Sequence, residues 1–84
     1  MAYTYHTVAS AEREIRVVDA ALERNRRELE ALRLRRPEAR NRWAENVHVK
    51  QIGNLTRRRA FLVGELEKAR ENEAKGIAPL GNEE

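Results

Sequence analysis

Apolar residues recur three and four apart along one stretch of this 84-residue chain: Val8, Ala11, Ile15, Val18, Leu22, then Leu29 and Leu32. Asn25 stands where the series calls for an apolar residue, and Arg36 takes its last place. Four heptads of a and d positions on one uninterrupted helix describe a coiled-coil seam, narrower than the face of a general amphipathic helix. A greasy edge of that kind needs a partner helix.

The rest of the chain supplies one. Pro37 forces the residue before it out of the helical region, so the first helix is expected over 8–36 with its break at Arg36. Proline is well tolerated at the start of a helix and Glu38 suits the positive end of the helix dipole, so a second helix is expected over 38–75. A connection that short folds the second helix back antiparallel on the first; a kinked continuous helix is the alternative. In the second helix Ile52, Leu55, Leu62, Leu66 and Ala69 form a heptad stripe interrupted by Arg59. Upstream, Trp43 and Val47 lie on a rotated face, and the change falls at Gly53-Asn54, where the helix is expected to bend or break. The fold class is therefore all-α: an antiparallel helical hairpin with heptad packing.

Both ends carry local signals. Residues 1–7 alternate Tyr3, Tyr5 and Thr7 with Thr4 and His6, an extended arm too short to form a sheet alone. It is expected to be loose in the isolated chain, or else to lie across a partner. Thr7 and Ser10 are both candidate N-caps. Gly76 suits a helix C-cap, with Ile77 placed for the accompanying apolar contact, Pro79 beyond, and a tail over 76–84.

Composition narrows the function. Charged residues are 37% of the chain and aromatic residues 5%, a balance that suits long exposed helices. There is no cysteine, which excludes disulfides and thiolate metal sites. No apolar run approaches the roughly 18 residues of a membrane span, and Met1–Ser10 lacks a basic-then-apolar signal pattern. An intracellular, cytoplasmic chain is the expectation; a virion component is made the same way.

No catalytic constellation stands out. Ser10 is the only serine, the histidines are His6 and His48, and the glycines are spaced wrongly for a phosphate loop. Glu45 and His48 form a Glu-x-x-His pair of the kind that di-metal carboxylate bundles use, with Glu28 expected opposite Glu45 across the hairpin. The motif does not repeat, so neither a metal nor another cofactor is expected, nor a small-molecule substrate.

Positive charge concentrates in the middle. Residues 33–59 hold eight Arg and one Lys against Glu38 and Glu45, net +7, while the chain as a whole is +3. In a hairpin Arg33, Arg35, Arg36, Arg40 and Arg42 converge on the turn beside Trp43, and Arg57, Arg58 and Arg59 form a second cluster. Arginine forks match phosphate and a ring can stack on a base, so a nucleic-acid-associated accessory role is the alternative function. Docking to acidic protein is the competing use of the patch. Neither helix pairs its basic residues with a wide apolar face, which argues against a membrane partner.

Two helices share a contact line and have no interior, so Val17, Leu34, Trp43, Phe61 and Val63 fall off the seam. Burying Val17, Phe61 and Val63 would contribute roughly 1.5–3 kcal/mol each to further association. The expected function is non-catalytic protein–protein assembly, through coiled-coil self-association or as a small structural or adaptor subunit of a larger complex, such as a virion or phage-encoded one.

Overall fold

The computed structural model describes residues 4–78. Among them the chain forms two α-helices, α1 (Val8–Arg33) and α2 (Arg42–Ala74), with one turn of 3₁₀ helix at Pro37–Ala39 between them. The helices pack against each other as an antiparallel hairpin, 59 × 20 × 17 Å overall. Its radius of gyration of 17.6 Å exceeds the roughly 12 Å of a compact domain of this length. The molecule is a rod.

Each helix end is set by local chemistry. Thr7 is the N-cap of α1, and Ser10 works with it instead of competing. The Ser10 backbone N–H donates to Thr7 Oγ1 at 3.0 Å and the Thr7 backbone N–H donates to Ser10 Oγ at 3.0 Å. Two of the donors that a helix start leaves orphaned are thereby satisfied reciprocally. At the far end α1 stops at Arg33 with Leu34 as its C-cap, short of the expected Arg36. Arg36 is extended (φ −58°, ψ 149°) ahead of Pro37, as the steric demand of the proline ring requires.

The second helix begins later than 38. Pro37, Glu38 and Ala39 close only a single tight turn, and Arg40 is again extended (φ −74°, ψ 135°). Asn41 then caps α2, its Oδ1 accepting the Ala44 N–H at 3.0 Å. The connection from Leu34 to Asn41 is longer than the sequence suggested because asparagine is a stronger N-cap than anything at the proline. Past that point α2 runs unbroken through Gly53-Asn54 to Ala74. Of the two outcomes expected at Gly53-Asn54, a bend or a break, the helix stays continuous: the packed face on either side carries it across one glycine, whose cost is only about 1 kcal/mol.

Gly76 ends α2 in the left-handed region (φ +77°). Ile77 N–H donates to Asn72 O at 2.8 Å and Gly76 N–H to Glu73 O at 3.1 Å, the two bonds of a Schellman motif. The expected features at Tyr3, Pro79 and the remainder of the tail lie outside the described residues.

The core sits midway along the rod. Val18, Leu22 and Leu62 are buried together, with Ile15, Ile52 and Leu55 packed against them. Ala11 and Ala69 are buried toward the open end, and Leu29 toward the turn. Residues 4–7 do not hang loose. Thr4 is 1% exposed, its Oγ1 donates to His6 O at 3.0 Å, and the Tyr5 N–H donates to Glu65 Oε1 at 3.0 Å. The arm folds back onto its own hairpin. It is anchored by a carboxylate on α2 that no local sequence pattern announces.

Candidate functional site

The helix–helix contact brings Val18, Leu22 and Leu62 of the expected seam together, with Ile15, Ile52 and Leu55 packed against them. Ala11, Val18, Leu22, Leu29, Leu62 and Ala69 are buried; Val8, Ile15, Asn25, Leu32, Ile52, Leu55 and Leu66 are half-buried. Sequence reasoning missed the polar members of this contact. Glu45, Glu65 and Asn72 are buried and His48 is half-buried. Stepping back from Ile52 by four and then three residues reaches His48 and Glu45, so the heptad spacing itself held the signal. Near the open end, Glu65 is more deeply buried than its neighbour Leu66, because the arm of residues 4–7 covers that flank.

Each buried polar group has a partner. Asn25, the exception in the α1 ladder, donates through Nδ2 to Ala21 O at 2.9 Å. Its Oδ1 lies 2.8 Å from His48 Nδ1, and His48 Nε2 is 3.1 Å from Glu28 Oε2. Glu28 thus meets His48, not Glu45 as expected. The Arg40 guanidinium takes Glu45 instead, with Nε donating to Oε2 at 3.0 Å. That hydrogen bond holds the Glu45 carboxyl below its usual range against the effect of burial, and the charges of Arg40, Arg42 and Arg33 add to it. At the open end His6 bridges the helices, Nε2 being 2.9 Å from Glu14 Oε2 and Nδ1 3.2 Å from Glu65 Oε1. Burial pushes the Glu65 carboxyl up, but the Tyr5 N–H and His6 outweigh it and hold the group below its usual range.

The basic residues divide in two. Arg57 donates to Asn54 Oδ1. Arg58 reaches Glu14 Oε2 at 3.0 Å and lies 5.6 Å from the centroid of the Phe61 ring. Arg59 pairs with Asp19 at 2.6 Å. The second expected cluster is therefore spent inside the hairpin, and so is Arg40. Arg33, Arg35, Arg36 and Arg42 make no salt bridge or side-chain hydrogen bond within the described residues, and all four are exposed at or beside the turn.

The residues expected off the seam stand open. Leu34 is 79% exposed, Trp43 75%, Val17 64% and Phe61 51%, while Val63 is half-buried. Tyr5 and Val49 are also exposed. Two shallow depressions mark this surface: about 290 Å³ lined by Trp43, Asn46, Val47, Val49 and Lys50, and about 270 Å³ lined by Glu14, Val17, Val18 and Arg58.

The acid–histidine clusters offer no shared point for a cation. His6 turns one ring nitrogen toward each carboxylate, so it stands between Glu14 and Glu65. Glu45 is occupied by Arg40 and His48 by Asn25 and Glu28. Among the described residues no group of three or more His, Cys, Asp or Glu side chains is placed to hold a metal ion. Among them, too, no helix is long and apolar enough to cross a membrane.

No protein-family model matches this chain, and no curated protein or solved structure is significantly similar to it. The hairpin and its exposed surface are what the function has to be read from.

Proposed function

We propose that this chain is a non-catalytic protein–protein association module: a hairpin with coiled-coil packing that works by self-association or as a small structural or adaptor subunit of a larger assembly. One observation carries the reading. Among the described residues the buried apolar core is Ala11, Val18, Leu22, Leu29, Leu62 and Ala69, while Leu34, Trp43, Val17 and Phe61 stay open to water. A hairpin of this size is weakly stabilised alone, and two of the side chains it leaves open, Trp43 and Phe61, are aromatic rings of the kind that dominate interface energetics. The test is the mass of the purified protein by light scattering over a concentration series, with chemical cross-linking in the native host beside it. A monomer at every concentration that cross-links to no protein in the host ends the proposal.

A second reading rests on the turn. Four exposed arginines (Arg33, Arg35, Arg36 and Arg42) that make no salt bridge or side-chain hydrogen bond within the described residues lie at or beside the turn, as does the open Trp43, a set of groups suited to phosphates and a stacked base. Binding to a single-stranded oligonucleotide at low and at moderate salt tests it. A phosphate binder loses affinity steeply as salt rises, and loses it again in the double variant Arg35→Glu, Arg36→Glu. Unchanged binding in that variant removes the turn from the account.

A further inference from the structure

The outer face of α2 repeats at helical spacing. Trp43, Val47, Lys50, Asn54, Arg57, Phe61 and Gly64 follow one another four and three apart and fall within an arc of about 100° on an α-helix. This stripe is distinct from the core stripe through Ile52, Leu55 and Leu62. It holds two of the large side chains the hairpin leaves open, Trp43 and Phe61. It is roughly centred on Asn54: Val47 and Phe61 stand one heptad before and after it, and Trp43 and Gly64 stand about three turns away on either side.

We infer that this stripe seats a second copy of the chain, α2 packing antiparallel to α2 across a two-fold axis at Asn54, so that Trp43 of each copy meets Gly64 of the other and Val47 meets Phe61. The inference rests on the self-association reading above and gives it a face and a direction. A bulky ring opposite a residue without a side chain is the complement that close helix packing needs, and a Cβ built at Gly64 meets nothing within 4 Å. The depression beside Trp43 and Val47, about 290 Å³, lies where the second copy's Phe61 arrives. Of the about 150–250 Å² that such a side chain buries in full, Trp43 at 75% and Phe61 at 51% exposed still have a half to three quarters to offer toward the ~800 Å² that a standard interface takes from each side.

Charge selects the antiparallel direction. Counted with the ion-pair partners Glu45 and Lys75, residues 33–45 carry Arg33, Arg35, Arg36, Arg40 and Arg42 against Glu38 and Glu45, net +3, and residues 65–75 carry Glu65, Glu67, Glu71 and Glu73 against Lys68, Arg70 and Lys75, net −1. Antiparallel copies set the basic turn of one beside the acidic end of the other, whereas parallel copies set like ends together. Lys50 falls opposite Arg57 near the axis and opposes the pairing there, which keeps it modest. Asn54 at the axis meets its own copy, amide to amide, and fixes the register as buried polar residues do in helix pairs.

The chain has no cysteine, so single cysteines report this geometry directly. Asn54→Cys is expected to join two copies by a disulfide on mild oxidation, while Glu30→Cys, on an exposed site of α1, stays unlinked. Gly64→Leu is expected to weaken self-association at least about tenfold by sedimentation, with helicity and melting temperature of the monomer unchanged or raised, since the site is open and the helix loses a glycine. A monomer at all concentrations overturns the proposal together with self-association. A dimer that ignores Gly64→Leu and leaves Asn54→Cys unlinked overturns the stripe alone, and self-association then runs through another face.

Discussion

Two buried carboxylates do most to fix the ends of the rod. Glu65 accepts the Tyr5 N–H and faces His6, and Glu45 accepts from Arg40. Both are held below the usual glutamate range, so the folded chain binds fewer protons than the unfolded one near that range. Their contribution is therefore fully present above about pH 4.3, the unfolded value, and is lost as pH falls through the lowered folded values. Denaturant unfolding from pH 7 downward should show stability declining below about pH 4.3, and Glu65→Gln should flatten part of that decline. Glu65→Ala removes the arm's anchor outright. Leaving the Tyr5 donor and the His6 ring without their acceptor should cost about 1–3 kcal/mol, with faster amide exchange at Tyr5 and no change at Leu55. The sequence placed Asn25 in the seam as its polar exception but could not name its partner. His48 reads in the sequence only as half of a Glu-x-x-His pair, and an amide–imidazole contact across two helices leaves no trace in the spacing of either.

At the scale of the helices, what could be read and what could not divide along physical lines. Helix α1 and the hairpin were legible because heptad spacing and a proline act locally and strongly. The exact start of α2 was not, since Pro37 and Asn41 both carry start signals and only the geometry of the turn decides between them. Gly53 left a bend and a break both open because its local cost is real; tertiary contact on Ile52 and Leu55 keeps the helix continuous. That cost remains recoverable. A Cβ at Gly53 would meet only the Arg57 guanidinium, at an ordinary 3.7 Å, so Gly53→Ala should raise stability by about 0.5–1 kcal/mol in chemical denaturation. Gly76→Ala is the opposite case. Its φ of +77° is one that alanine adopts at a cost of roughly 1–2 kcal/mol, so that variant should lose stability and fray the last turn.

For the whole molecule, a single line of contact replaces an interior. The arm escaped the sequence because its anchor, Glu65, is remote in the chain and becomes a neighbour only once the hairpin has closed. The same thinness makes the rod sensitive at its middle. Leu22 is 4% exposed and packs in one cluster with Val18 and Leu62, with no second layer behind them to take up a loss. Truncating a buried leucine to alanine costs about 2–5 kcal/mol, and a carboxylate at that position adds the cost of desolvating an unpaired charge. A scaffold of this size rarely has more than about 3–5 kcal/mol in hand. Leu22→Asp should therefore abolish the far-ultraviolet circular dichroism minimum at 222 nm across the whole chain, not in one segment. The control is Val17→Asp, one turn away and largely exposed, which should keep its helicity; equal helicity in both variants would mean that the ladder along α1 is not what holds the two helices together.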